Sequence, residues 1–559
     1  MSRPSVFVVV LFATVAAALL ATLPPDGFFS SDEGVKFVQL RSLELSGFKS
    51  TAIAWPGREL GLDARWADTE RFFELRDGVL YSPHPALFAA ASAPGWLAFG
   101  FPGLYVLPLL AGVAVVALTA LLARDFGVRR RWLAAGAVAF ASPIFFYSLC
   151  LWEHVPAVAL WLGGWAVLRR GTGGRFLLAG ALWGLAGALR PEFYWLAGWS
   201  VAALAAFYSG RRLRATVLPA ASFALVAVGV ELLLWGIWGQ PPFMRLASNL
   251  AYGGGRGAAA FAFAVGHSLV PFVPWYLGAA VAAFVALTLL ALKWRPAAYV
   301  AAALGAGLAV LYAAFFGGHA TPLAASFPAV FGLAFLAVSD VRTVVKRPDV
   351  RRRAFYLAAA GFAATLFVVI PDTSGFAWGP RFLLAVIPPA AIALAGAAEG
   401  GRGAGRVLRA GLIGLLLILS AGMQVFGFWR LKAGKESREE LVAELRALPA
   451  APILVNKWYL PPYAAPLYAE RPFVIITDEN QFPGLREELA LRGVERVYFL
   501  TELPAAEGER EPYVLWLTTT LARDFDVADV RRIGAPGVRA YVLPYCLWTL
   551  RIGRRDVNT

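Results

Sequence analysis

Two carboxylates, Asp32 and Glu33, stand side by side in the stretch FFSSDEGVKF, directly after an apolar run from Val6 to Leu23. A carboxylate held against apolar surface gains proton affinity and can act as a general base, while a nearby arginine pulls the other way. Phe28, Phe29, Val35 and Phe37 supply such surface. Other ionisable residues set in apolar sequence are His84, Glu153, His154, Arg190, Glu192, Glu231, Arg245, Arg256, His267, His319, Asp372 and Arg381. Each has a plain reading. An acid or histidine at an interface is as often a solvated helix end as a reactive group, RPE at 190–192 reads equally as a loop with Pro191 opening a helix, and GPRF at 379–382 as a turn with a snorkelling arginine. Two adjacent acids are also common on soluble surfaces, so position carries the information.

That position is set by the elements around them. The 559 residues are 59% hydrophobic and 16% charged, with a mean hydropathy of +0.63, too apolar for a water-soluble globular chain. Apolar stretches long enough to cross a bilayer recur at 6–23, 101–123, 132–149, 153–168, 176–190, 193–209, 215–238, 270–292, 297–316, 320–338, 354–370, 382–398 and 407–429, about thirteen in all. The first is read as a retained helix in preference to a cleaved leader, because no clear cleavage site follows. With the N-terminus inside, RDFGVRRR, RRGTGGR, GRRLR, KWRP, DVRTVVKRPDVRRR and EGGRGAGR all become cytoplasmic, and every one is basic. That is the positive-inside asymmetry. The net charge of +15 therefore reads as topology and not as a nucleic-acid-binding face.

The same threading sends all four histidines to the outer interface with most of the embedded acids. Glu231 falls about two turns inside its span, where a carboxylate is costly unless paired or facing water. The chain divides into a membrane domain, 1–430, whose first outer loop covers 24–100, and an extracytoplasmic domain, 431–559. The stretch RFFELRDGVLYSPHPALFAAASAPGWL in that first loop reads as helices lying along the membrane surface. In the tail APILVNKWYL, PFVIIT, RVYFLT and VRAYVLP read as strands, with SREELVAELRAL and PGLREELALRG as amphipathic helices, giving a small α/β sheet. TDENQFPG at 477–484 follows a strand end, where open α/β sheets bind ligands. The two cysteines, Cys150 and Cys546, provide no disulfide framework. Glu153, His154, His84 and His319 are metal-ligand types at undiagnostic spacing, which leaves a divalent metal open.

The DE pair opening the first outer loop, the HP dipeptide in SPHPALF, the segment GFAWGPRFLLAVIPP at 375–389 and the count of spans together resemble the GT-C superfamily of membrane glycosyltransferases, which includes protein O-mannosyltransferases and the aminoarabinose transferase of lipid A. The resemblance covers about residues 1–430, and HPAL departs from the common HPPL. It implies a polytopic α-helical membrane enzyme that moves a sugar from a polyprenyl-phosphate donor to a glycan, lipid or protein acceptor on the outer side. It implies Asp32 as the base, with Glu33 beside it. A leaving phosphate calls for a fixed cation; Arg381 is first choice, followed by Arg190, Arg245 and Arg256, with YGGGRG at 252–257 as either a closing loop or a linker. His84, Glu153, His154, Glu192, Glu231 and His319 are left as acceptor-binding or structural polar groups. The rival readings are a lipid-linked-sugar flippase, a surface-polysaccharide polymerase or ligase, and a noncatalytic scaffold; a transporter should show midplane charges in several spans and repeat symmetry.

Overall fold

The computed structural model describes residues 2–69, 72–170, 173–208, 212–244, 350–369, 381–399, 404–504, 507–533 and 544–552. The spans expected at 270–292, 297–316 and 320–338 lie outside them. In chain order the main elements are α1 (Arg3–Leu20), α2 (Ser31–Leu45), β1 (Glu74–Arg76), β2 (Val79–Tyr81), α3 (Ala86–Phe99), α4 (Val106–Asp125), α5 (Arg131–Phe140), α6 (His154–Val167), α7 (Gly173–Leu189), α8 (Glu192–Phe207) and α9 (Arg212–Trp238). There follow α10 (Val350–Val369), α11 (Ile387–Ala397), α12 (Ala404–Ala447), β3 (Ile453–Val455), β4 (Phe473–Ile475), α13 (Phe482–Leu491), β5 (Arg496–Glu502), α14 (Glu507–Leu521), β6 (Asp526–Ile533) and β7 (Tyr545–Arg551). The chain forms two compact units: Met1–Thr22, Gly95–Leu233 and Arg245–Trp429 make one, and Leu23–Pro94, Leu234–Met244 and Arg430–Thr559 the other.

The first unit is a helical bundle. α1 packs on α4 and α5, α4 on α6, α6 on α7, α8 on α7 and α10, and α11 on α5. Arg3–Leu20, Phe101–Asp125 and Arg214–Trp238 are each long and apolar enough to cross a membrane. Their exposed Phe7, Leu110, Leu225 and Trp235 are the outward face expected where hydrocarbon is the solvent. One expected span is shorter than the sequence suggested. The stretch 132–149 is helical only to Phe140 and then re-forms a single turn, Ile144–Tyr147. Ser142 returns its hydroxyl to the Val138 carbonyl (2.7 Å) and accepts from the Ile144 amide (3.3 Å), and Pro143 has no amide to carry the ladder on.

The basic loops also make structural contacts. At the end of α4 the buried Asp125 meets Arg169 Nε at 3.3 Å and Arg351 Nη2 at 3.2 Å, while Arg352 donates to the Phe126 carbonyl (3.1 Å). The Arg130 amide donates to Glu399 (2.5 Å). Segments far apart in sequence are thereby tied together, Arg169 and Arg351 through one acid.

In the second unit, α2 starts on a capping box: Ser30 Oγ accepts from the Glu33 amide, and Glu33 reaches back to the Ser30 amide. It lies against the short turns Leu460–Tyr463 and Ala465–Tyr468. The approach is so close that a Cβ on Gly34 would sit 1.8 Å from the Pro462 carbonyl oxygen. Residues 74–81, expected to be helical, form the antiparallel β1–β2 hairpin. Asp77 (φ 50°) and Gly78 (φ 75°) make the two-residue turn that an Asp-Gly pair favours, a signal outweighed in the sequence by the apolar residues around it. The tail folds as a five-stranded mixed sheet in the order β4-β3-β5-β7-β6, with β4, β3 and β5 parallel and β7 antiparallel to both its neighbours. The segment 538–543 of VRAYVLP lies outside the described residues. The loop and the tail share a core: Trp55 donates to the Phe473 carbonyl (2.9 Å), and Trp66 (2.9 Å) and the Asp63 amide (3.0 Å) both donate to Glu488.

Candidate active site

Asp32 occupies the first turn of α2, where the helix dipole favours negative charge. His84 Nε2 lies 3.1 Å from Asp32 Oδ1, and with the carboxylate ionised Nε2–H is the donor. His84 is buried, and four contacts fix it. Its carbonyl accepts from Gln39 Nε2 (2.7 Å) and Gln240 Nε2 (3.4 Å), Ser82 Oγ lies 3.5 Å from Nδ1, and the Phe72 ring lies 5.7 Å from the imidazole. Gln240 also accepts from the Ala86 amide at the start of α3 (3.3 Å). Lys36, one turn after Asp32, donates to the Asp32 carbonyl at 3.1 Å.

Glu33, fully buried, takes a different part from its neighbour. Its Oε2 accepts from the Phe29 amide (2.6 Å) and the Ser30 amide (3.4 Å), so this carboxylate closes the helix start. The chain leading to Asp32 is held from the other side by Lys435, whose buried ammonium donates to the carbonyls of Gly27 (2.6 Å) and Pro24 (3.3 Å). The tail adds aromatic groups. Tyr459 donates to Glu502 Oε2 at 2.6 Å, and burial, then that bond, pushes its phenol above the usual range. Burial likewise raises the Tyr463 phenol, with Arg438 opposing and the charges of Glu502 and Asp32 adding to the rise.

A second polar cluster belongs to the helical unit. Arg190, at the α7–α8 junction, donates through Nη1 to Glu153 Oε1 (2.7 Å) and through Nε to Glu192 Oε1 (2.8 Å), all three groups being buried. His154 Nε2 stands 4.0 Å from Glu192 Oε1, with its ring 5.0 Å from Trp152 and 6.0 Å from Phe382. Arg381 lies over the rings of Trp152 (5.1 Å) and Phe382 (4.9 Å). Arg190 is therefore ion-paired with two acids, whereas Arg381 is seated on aromatic faces. Glu231 on α9 faces the Tyr194 phenol on α8. Arg245, Arg256 and His319 lie outside the described residues, as do His267 and Asp372.

Among the described residues no three His, Cys, Asp or Glu side chains are grouped at metal-ligand distance. TDENQFPG spends its polar atoms locally: Asp478 accepts from the Asn480 amide (3.0 Å) and Gln481 from the Thr477 amide (2.8 Å), capping the turn that enters α13. Sequence reasoning missed Gln39, Gln240, Lys435 and Tyr463, whose partners are remote in sequence. The only local hint was Lys435 and Gln39 standing in otherwise apolar or amphipathic faces.

No protein-family model and no curated protein sequence matches the chain. Solved structures do. ArnT from Cupriavidus metallidurans bound to undecaprenyl phosphate aligns over 96% of this chain and 97% of its own at 13% identity, with a TM-score of 0.52, and the same protein in the apo state gives 0.53. The Archaeoglobus fulgidus oligosaccharyltransferase tethered with an acceptor peptide containing the NVT sequon aligns over 89% of this chain and 69% of its own at 12% identity, with a TM-score of 0.52. Both neighbours are GT-C superfamily glycosyltransferases, and the likeness gives this chain the GT-C fold.

Proposed function

We propose that this protein is a membrane glycosyltransferase that transfers a sugar from a polyprenyl-phosphate-linked donor to an acceptor hydroxyl on the outer side of the membrane. The observation that carries the reading is the buried His84 imidazole holding Asp32 Oδ1 at 3.1 Å at the start of α2. A general base needs a fixed orientation before it needs a tuned proton affinity. In one displacement the acceptor oxygen bonds to the anomeric carbon as Asp32 takes its proton. The bond from that carbon to the phosphate oxygen breaks, configuration inverts, and polyprenyl phosphate leaves. His84 acts through Asp32 as a positioning residue. Arg381 is the cation we assign to the leaving phosphate. Its planar guanidinium, seated over Trp152 and Phe382, has the fork that suits paired phosphate oxygens. Glu33 keeps its place beside the base by shaping the turn that presents Asp32. The basic loop charges support an outer placement of Asp32 and of residues 431–559.

The test is transfer by the purified protein from a panel of radiolabelled polyprenyl-phosphate sugars, beside Asp32→Asn. The parent is expected to transfer and the variant to lose about 10³-fold or more in rate. Parental rates in the variant would remove Asp32 from the chemistry. Movement of sugar-lipid across a vesicle membrane without transfer would favour the flippase.

A further inference from the structure

Arg438 lies on α12 in the run KESREEL, which reads as the solvated side of an amphipathic helix, yet it is only 7% exposed. Its guanidinium sits 3.9 Å from the centre of the Tyr463 ring and 5.2 Å from that of Tyr545. Aromatic faces attract the flat of a guanidinium, and Tyr463 also hydrogen-bonds Arg438. Nε and Nη1 are both buried, and neither has an acceptor among the described residues. A guanidinium stays charged at any physiological pH, and its planar edge matches the paired oxygens of a phosphate or carboxylate.

The place in the fold makes the same point independently. Tyr459 and Tyr463 follow β3, Glu502 closes β5, and Tyr545, which opens β7, is in register with Glu502. These residues mark the carboxyl ends of two adjacent parallel strands, the edge at which open α/β sheets receive ligands. Tyr463, against which Arg438 lies, belongs to the turn on which α2 packs at Gly34, two residues after Asp32, so the arginine is in the neighbourhood of the proposed base.

We propose that Arg438, framed by Tyr463 and Tyr545, binds an oxyanion, phosphate or carboxylate, carried by the acceptor. The anion site stands on the geometry alone, and its assignment to the acceptor rests on Asp32 being the base. In an inverting displacement base and leaving group work on opposite faces of the sugar, so a cation beside the base serves the molecule that brings the hydroxyl.

Thermal unfolding of the full-length protein in detergent, titrated with inorganic phosphate or acetate at constant ionic strength, tests the site. Wild-type Tm should rise with at least one anion, phosphate alone marking a phosphoryl acceptor and acetate a carboxylate. Arg438→Gln should lose the response, Arg438→Lys should weaken the apparent affinity about tenfold because it keeps the charge without the fork, and Asp32→Asn should respond as the parent does. A wild-type Tm that neither anion moves overturns the proposal, as does an undiminished response in Arg438→Gln. If the Gln variant does not fold, an undiminished response in Arg438→Lys does so instead. Loss of the response in Arg438→Gln from a parent that transfers no sugar would keep the anion site while ending the glycosyltransferase reading.

Discussion

At the scale of single residues, two adjacent carboxylates have been given different work by their partners. Asp32 is held by an imidazole, and Glu33 by the amides of Phe29 and Ser30. Glu33→Gln should therefore cost stability, about 1 kcal/mol by chemical denaturation, while the folded fraction keeps most of its transfer rate. His84→Ala should lower kcat by about 10²-fold with little change in KM, because a misplaced base slows the chemistry without loosening the substrate. His84→Gln, whose amide can still donate to Oδ1, should recover part of that loss, an outcome that a merely structural histidine would not give. Cys546 and three tyrosines set an alkaline limit. Burial pushes the Cys546 thiol from 9.0 up to about 11 and raises the phenols of Tyr459, Tyr463 and Tyr468. Folded-state values above unfolded ones mean stability that is whole below about pH 9 and lost as pH rises through the folded values. Unfolding free energy measured from pH 8 to 11 should fall steadily above pH 9, and iodoacetamide at pH 8 should leave both buried thiols unmodified until the chain unfolds.

Among elements, the closest fit is that of α2 against the turn at Leu460–Tyr463. Gly34→Ala places a methyl 1.8 Å from the Pro462 oxygen before relaxation, so backbone must move. The expected loss is about 1–3 kcal/mol, read as a lowered denaturation midpoint, with transfer falling because Asp32 is two residues away. Asp125→Asn makes a separate prediction: with the buried counter-charge of Arg124, Arg169 and Arg351 removed, the bundle should lose about 3 kcal/mol or more and be cut faster by protease. The sequence made much of this scale legible. Apolar runs mark α1, α4 and α6 through α9, and β-branched and aromatic runs mark β3, β4 and β5. Hydrophobic period and length need no tertiary information. The hairpin at 74–81 and strands β6 and β7 were not legible. β6 is polar and largely exposed along its length, and CLWTL in β7 lacks the alternation that identifies a strand facing water. The site shows the same division: Asp32 and His84 were marked by type and position, but their contact spans 52 residues and depends on Gln39 and Gln240. Arg438 was invisible because burial is decided by what folds over a helix and not by the helix itself.

For the whole molecule, the unit that holds Asp32 is assembled from chain segments that begin at Leu23 and end with the last residues of the sequence. Removing residues 431–559 takes away Lys435, the carbonyl that receives Trp55 and the carboxylate that receives Trp66. Such a truncated protein should still insert in the membrane, lose transfer entirely, and show rapid tryptic cleavage after Arg58 or Arg65. The N-terminal loop of the intact protein should resist that cleavage.

Trp55 meets the Phe473 carbonyl across 418 positions of sequence, and β7, which ends at Arg551, lies in the interior of the sheet with β5 and β6 as neighbours. A ribosome adding roughly 5–20 residues per second needs on the order of a minute to go from the one to the other. Throughout that interval the newborn loop waits without its mate. On the proposed function, a chain cut short upstream of β7 should be inserted in the membrane and transfer no sugar.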